Sequence, residues 1–318
     1  HSSWWVLRIT NIPIALISVI MTFANMIDML TVNPCIKTAM KASPHTFDSL
    51  LSDKLTADML PNFIYGSYIG LAVTVFGLVP TITAMFGKSI LPSLAESCAK
   101  NDKKAMQSGL TKMLIVTGII AIPAGMGIAV LSEPILRFLF GGRETEIQVC
   151  IMPMSILGIA VIFLAIATPC FAILQTLGKP HKAIIIMLAG GIIKLFLNII
   201  LIRQPIINIS GAAISTLVSE VFICVLSVRS VCKMTDLKPK VSEIFVKPTY
   251  AAIMCSVTAV LSHETLTKIA HLQINHRFVT LFSIGIGSTM YFFCLYLLCE
   301  TPKNIVNYIF SKKNPQNP

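Results

Sequence analysis

Residues Ile151–Leu174 read IMPMSILGIAVIFLAIATPCFAIL, an apolar run without a single charged side chain. A bilayer core about 30 Å thick is crossed by about 20 helical residues, so a run of this length predicts a transmembrane helix. The whole chain has 318 residues, of which 55% are hydrophobic and only 12% are charged. Soluble domains carry about 25% charged residues, so the composition excludes a disordered chain and argues against a soluble enzyme.

Eight apolar runs are candidate spans, which predicts an all-α, polytopic transmembrane helical bundle. A basic connector after Cys232 divides them, and it predicts a six-helix unit over residues 1–232. The remaining residues, 233–318, are predicted to form a cytoplasmic linker and a terminal helix pair. The candidate spans are Ile12–Val32, Phe63–Ala84, Met113–Leu131, Ile151–Leu174, Ala183–Ile202, Ile209–Val231, Val246–Leu261 and Phe278–Cys299.

The distribution of Lys and Arg gives the orientation. Connectors on one side of the predicted bundle carry 16 of these residues, and connectors on the other side carry eight. The positive-inside rule then places both termini in the cytoplasm. We expect the membrane to be the plasma membrane. The net charge of +11 follows from this topology and from attraction to anionic lipid. No basic stripe with interleaved aromatic residues indicates a nucleic-acid partner. In one cytoplasmic connector, the apolar spacing of Ser89–Glu96 predicts a helix along the membrane interface.

Three ionisable residues lie inside candidate spans, where each charge costs about 3 kcal/mol on insertion scales. Asp28 lies in the outer third of the first span, Lys194 halfway through the fifth and Glu220 halfway through the sixth. Asn25 precedes Asp28 by about one turn on the same helix face, and Asn198 follows Lys194 at i+4. We expect these five residues to line a cavity that binds substrate or a coupling ion. The alternative for Asp28 is a position close enough to the outer interface to stay hydrated.

The fifth and sixth spans form a predicted hairpin, which relates Lys194 to Glu220. At 1.5 Å per residue, the two lie within roughly 3 Å of the same depth. They either pair with each other or face one cavity. A structural ion pair and a Lys194 that snorkels along its helix remain alternatives.

Proline and glycine are frequent inside the spans, which favours helices that move over a static bundle, although membrane helices in general tolerate both residues. The prolines remove backbone donors, and the predicted kink positions are Pro80, Pro123, Pro153 and Pro169. The glycines are predicted to let neighbouring helices approach closely, at Gly66, Gly70, Gly125, Gly127, Gly190 and Gly191.

Catalytic and metal-binding motifs are missing from the sequence. It contains no P-loop, G-x-S-x-G or H-E-x-x-H motif, and its nine cysteines include no C-x-x-C pair. We therefore predict no enzymatic residues, no metal site and no organic cofactor.

Short motifs follow one another in a fixed order between residues 10 and 232. They are Ile27-Asp28, SILP at Ser89–Pro92, IPAGMG at Ile122–Gly127, LSEPIL at Leu131–Leu136, LFG at Leu139–Gly141, ILQTLGKP at Ile173–Pro180, KLFLN at Lys194–Asn198 and PIINISGAAIST at Pro205–Thr216. Together they resemble the polysaccharide-transport branch of the multidrug/oligosaccharidyl-lipid/polysaccharide (MOP) flippase superfamily, and within it the stage V sporulation protein B family.

The resemblance implies fourteen spans, arranged as two six-helix lobes and a terminal pair. The eight spans here correspond to the second lobe and the pair, so we expect a fragment whose missing first lobe is a partner. The implied activity is flipping of lipid-linked polysaccharide or peptidoglycan precursors by alternating access, coupled to a proton or sodium ion. Lys194 would contact a pyrophosphate, and Asp28 and Glu220 would take the ion. A cation-coupled multidrug exporter and a non-transporting scaffold for wall or spore-coat assembly remain alternatives.

Overall fold

The computed structural model describes residues 26–43, 56–100, 102–236, 242–270 and 276–298. Regular structure in these ranges is helical, because a helix satisfies its own backbone polar groups in lipid. Two π-helical segments, Tyr68–Val73 and Ser242–Val246, interrupt the α-helices. The α-helices are α1 (residues 26–42), α2 (Leu60–Ser67), α3 (Thr74–Ala99), α4 (Lys103–Val130), α5 (Ser132–Phe140), α6 (Glu144–Thr176), α7 (Pro180–Leu201), α8 (Ser210–Thr235), α9 (Lys247–Ala270) and α10 (His276–Leu298).

The predicted bundle is confirmed. Within the described ranges, seven helical stretches are long and apolar enough to cross a membrane, and each overlaps one predicted span from the second to the eighth. Most of the first predicted span, Ile12–Val32, lies outside the described residues, as does Asn25. Its described end belongs to α1, which continues to residue 42. The crossing stretches are Leu60–Met85, Lys103–Val130, Glu144–Thr176, Pro180–Leu201, Ser210–Thr235, Glu243–Lys268 and Phe278–Leu298.

The helix predicted over Ser89–Glu96 is present as the C-terminal part of α3. Helix α3 continues through this segment to Ala99. The reason is packing, since Leu94 is buried and lies against Gly109 of α4. The predicted kink prolines also lie inside helices that continue past them, at Pro80, Pro123, Pro153 and Pro169.

Helix α6 is the centre of the bundle and packs against α2, α3, α4, α5, α7 and α8. The backbones of α6 and α4 contact each other directly, at a glycine on each helix. A Cβ on Gly158 would lie 2.6 Å from the amide nitrogen of Ala129, and one on Gly125 would lie 2.5 Å from the carbonyl oxygen of Gly158. Ser155 adds a hydrogen bond of 2.7 Å to the carbonyl oxygen of Ala129. The two helices are therefore fixed against each other.

The other glycines differ in their surroundings. Gly190 is a close-approach position, since a Cβ there would lie 2.4 Å from the side chain of Ile223. At Gly66, Gly70 and Gly127, a Cβ would meet no atom of the described residues within 4 Å. These three positions face away from the packed helices that the structure describes.

Helices α9 and α10 pack against each other, and α9 with its preceding π segment packs on α4. A Cβ on Gly118 would lie 2.5 Å from the carbonyl oxygen of Ile244. The Tyr291 hydroxyl donates a 2.8 Å hydrogen bond to the carbonyl oxygen of Ile119. The terminal helices thus rest on the outer side of α4, away from α7 and α8.

Candidate functional site

Helix α7 has two distinct faces, because residues three and four apart share a face of a helix. The exposed face is apolar and consists of Ile185, Leu188, Ile192, Phe196 and Ile200. The buried face carries the polar residues and consists of Ala183, Met187, Gly190, Lys194 and Asn198. Charged side chains in membrane helices face the protein interior because lipid solvates them poorly.

Lys194 forms a buried ion pair with Asp28 of α1. Its Nζ atom lies 2.8 Å from Asp28 Oδ2, and the two residues are only 8% and 5% exposed. Asn198 Nδ2 donates to the other carboxylate oxygen at 2.9 Å and contacts Thr31 Oγ1 at 3.1 Å. Ser215 of α8 donates to Asn198 Oδ1. This network ties α1, α7 and α8 together.

Both oxygens of the Asp28 carboxylate accept a hydrogen bond, and one donor is a cation. A buried charge is tolerated when it is paired and its remaining lone pairs are satisfied. Lys194 is thus bonded to Asp28, which is 166 positions away in the chain, and not to Glu220. A comparison of residue depths along the hairpin involves only its two helices, α7 and α8. It could therefore not predict the position of α1.

The close connection between α7 and α8 fixes the depth of the polar residues of one helix relative to those of the other. A Cβ on Gly211 would lie 2.8 Å from the carbonyl carbon of Leu201, so α8 begins directly against the end of α7. Asn208 adopts a φ of 45°, a left-handed conformation that asparagine tolerates better than most residues.

A cavity of about 150 Å³ lies between α1, the Tyr68–Val73 π segment and helices α3, α6, α7 and α8. It has room for several water molecules. Sites for drug-sized ligands measure roughly 300–1,000 Å³, so this cavity suits water or a small ion and does not enclose a glycolipid headgroup. Its polar wall consists of Asp28, Tyr68, Lys194, Thr216, Ser219 and Glu220.

Glu220 differs from Asp28 in its surroundings. It is largely buried, and its Oε2 atom is fully buried without a hydrogen-bond partner in the part of the chain that the structure describes. Of the predicted site residues, the structure therefore brings Asp28, Lys194, Asn198 and Glu220 together. Asn25 lies outside the described residues.

Sequence reasoning missed the hydroxyl groups of the site. Thr31 and Ser215 bond to Asn198, and Thr216 and Ser219 line the cavity beside Glu220. Ser and Thr are common in membrane helices because they bond to their own backbone, as Thr216 does to the carbonyl oxygen of Ala212. Their usable signal is closeness in sequence to the ionisable residues, since Thr31 follows Asp28 by three positions and Thr216 precedes Glu220 by four.

Charged groups outside the spans form short-range pairs. Arg137 of α5 donates to Glu133 at 2.9 Å and to Glu144 at the start of α6. The hydrogen bond that Arg137 donates to Glu133 raises the pKa of Arg137 above its usual value. Since Arg137 bonds to both carboxylates, it clamps α5 to α6 and offers no free cation. In the described residues, no group of three or more His, Cys, Asp or Glu side chains is placed to hold a metal ion.

Comparison with known families identifies this bundle. The model of the family described as "Lipid II flippase MurJ" matches residues 64–281, which is more than half of the chain. The chain belongs to the lipid II flippase MurJ family. The predicted membership of the MOP superfamily is thereby confirmed, and this MurJ-family chain is a multi-pass membrane protein.

Two curated relatives come from Bacillus subtilis. The lipid II flippase MurJ is 26% identical over 136 residues, which cover 43% of this chain and 25% of the relative. Stage V sporulation protein B is 22% identical over 182 residues, which cover 56% of this chain and 34% of the relative. The chain therefore spans well under half the length of these relatives.

A solved structure shares the fold. A MOP superfamily transporter from Pyrococcus furiosus superposes with a TM-score of 0.57 at 15% sequence identity. The superposition covers 95% of this MurJ-family chain and 67% of that transporter. At this identity the likeness establishes the helical arrangement.

Proposed function

We propose that the protein is a flippase that moves lipid-linked cell-wall polysaccharide or peptidoglycan precursors across the plasma membrane by alternating access. The observation that carries the proposal is a buried ionic network, Asp28–Lys194–Asn198, on the wall of an interior cavity in a MurJ-family chain. Charges are costly at this depth and are retained in membrane helices mainly where they line a pathway or couple an ion. Sugars and phosphates need such a polar route through hydrocarbon.

The geometry favours an ion-coupling role for the cavity over a direct contact with cargo. Lys194 is already neutralised by Asp28, which weighs against the pyrophosphate contact. The cavity is also too small for a glycolipid headgroup. We assign Asp28, Lys194, Asn198 and Glu220 to ion coupling. In this proposal, a second six-helix lobe facing this one completes the cleft for the cargo.

We also propose an orientation and a set of bending points for the protein. The distribution of basic residues places both termini in the cytoplasm. Residues 1–232 act as a six-helix transporter lobe, and residues 233–318 form a linker and a helix pair. The lobe bends at helix-interior prolines, namely Pro80, Pro123, Pro153 and Pro169.

Flipping of a labelled lipid-linked precursor by the full-length protein in liposomes tests the proposal. We expect Lys194→Ala and Glu220→Ala each to lower the rate by about tenfold or more, equivalent to about 1.4 kcal/mol in activation free energy. The matched control is Lys104→Ala, since Lys104 is an exposed lysine on α4. Size-exclusion profiles of all three variants establish that they are folded.

Two results would contradict the proposal. Wild-type protein that does not flip the precursor would favour a scaffold or a drug exporter. Wild-type rates in both Lys194→Ala and Glu220→Ala would reject the assignment of the cavity.

A further inference from the structure

We propose that Glu220 is the proton-binding group of the cavity and that Lys194 is its built-in counter-cation, so that the coupling ion is a proton. The link to transport rests on the proposed function. The proton site itself rests only on the arrangement of side chains around the cavity.

The charge balance of the cavity favours a protonated Glu220. Its wall carries one cation, Lys194, and two carboxyl groups, Asp28 and Glu220. The Asp28 carboxylate accepts hydrogen bonds from the Lys194 ammonium group and from the Asn198 amide, and an aspartate–lysine ion pair carries no net charge. An ionised Glu220 would leave one uncompensated negative charge in a buried site, which is unfavourable. A proton on Glu220 brings the cavity to neutrality.

The surroundings of the Glu220 oxygens also favour a protonated side chain. Oε2 is fully buried and accepts no hydrogen bond from any described residue. A buried carboxylate needs hydrogen-bond donors at both oxygens. A neutral carboxyl group loses much less free energy when one of its oxygens has no partner. The arrangement is therefore that of a protonated Glu220.

Lys194 has N–H donors that the ion pair with Asp28 does not use. Its ammonium group has three N–H donors, and the structure assigns one of them to Asp28. Loss of the proton from Glu220 creates a second carboxylate on the same cavity, and the flexible Lys194 side chain can turn to it. Proton release then exchanges the α1–α7 ion pair for an α7–α8 pair and loosens α1.

A sodium ion fits the same cavity poorly. Hard metal cations take several oxygen ligands, and here the oxygens of Asp28 and Asn198 already accept hydrogen bonds. The Lys194 ammonium group repels a second cation in the same small space. The cavity thus already holds a cation, the Lys194 ammonium group.

The other titratable groups near Glu220 do not compete for the proton. Helix α4 contributes no ionisable side chain between Met113 and Val130. Cysteine and tyrosine titrate above neutral pH, so a proton taken up in mild acid goes to a carboxyl group. The groups that face this part of α8 or the cavity are Asp28, Tyr68, Cys150, Cys170, Lys194 and Cys224.

Infrared difference spectroscopy of the full-length protein in liposomes tests the proton site without measuring transport. The change from mildly alkaline to mildly acidic buffer should produce a protonated-carboxyl band, and Glu220→Gln should lose most of it. Glu220→Asp, which keeps a carboxyl group, should retain a shifted band. The control Glu264→Gln removes an exposed carboxyl group on α9 and should keep the band. Exchange of sodium for potassium at constant pH should leave the spectrum unchanged.

Two outcomes would overturn the inference. An unaltered band in Glu220→Gln places the proton elsewhere, and a sodium-induced change that Glu220→Gln abolishes identifies a metal-cation site. A Glu220-dependent band in a protein that does not flip lipid would support the proton site and reject only the proposed function.

Discussion

Replacing Lys194 with methionine is expected to destabilise the protein by about 3–5 kcal/mol, the usual cost of removing one partner of a buried ion pair. The variant leaves Asp28 as a buried charge with a single remaining partner, Asn198. Methionine has a similar length and fits the apolar stem of the lysine, so the loss of the charge dominates. The measurement is the unfolding free energy in detergent or bicelles.

The double variant Asp28→Asn/Lys194→Met separates the ion pair from simple packing. Removing both charges eliminates the uncompensated carboxylate, so we expect the double variant to recover most of the stability that Lys194→Met loses. Lys104→Met is the matched control, because Lys104 is exposed, and it should change stability by less than about 0.5 kcal/mol. A Lys194→Met variant as stable as the wild type would mean that the lysine reaches water and does not pair.

Replacing Gly125 with alanine is expected to destabilise the protein by about 3 kcal/mol, the upper end of the usual range for overpacking. The added Cβ would lie 2.4 Å from Ile162 Cγ1 and 2.5 Å from the carbonyl oxygen of Gly158. The Ile162 side chain could turn away, but the α6 backbone cannot move without separating the two helices. The thermal unfolding midpoint should fall accordingly.

Gly127→Ala provides the control on the same helix, only two residues away. A Cβ at Gly127 meets no atom of the described residues within 4 Å. Alanine is a better helix former than glycine by about 1 kcal/mol, so this variant should be neutral or slightly stabilised. Equal effects at Gly125 and Gly127 would refute the backbone contact between α4 and α6.

The spans could be predicted from the sequence because the hydrocarbon thickness fixes the length of an apolar run. The run Ile151–Leu174 falls inside α6, and the run Phe278–Cys299 ends within one residue of α10. The inward orientation of Lys194 and Asn198 also follows from local information, since their helix has one apolar face and one polar face.

The partner of Lys194 could not be predicted, because pairing depends on how distant helices pack. The hairpin arithmetic pointed to Glu220 as one option, but the ammonium group bonds to Asp28, which lies 166 positions away. Two of the four glycines of α4 show the same limit. Gly125 and Gly127 are equivalent in the sequence pattern, and only the position of α6 makes one of them a close contact.

The π-helical segment Tyr68–Val73 also had no sequence signal. It lies within a stretch that reads as an ordinary apolar span, yet it places Tyr68 and Val73 on the cavity wall. Single-turn π segments are often found at functional sites because they shift the register of one helix face. Such a shift depends on tertiary packing, which outweighs local preference.

An experimental density map of the full-length protein in a lipid bilayer is the decisive measurement. We expect Lys194 Nζ within hydrogen-bond distance of Asp28, with Glu220 on the wall of the same cavity. Density that directs Lys194 or Glu220 toward the acyl chains, or that leaves Asp28 apart from Lys194, would contradict this expectation.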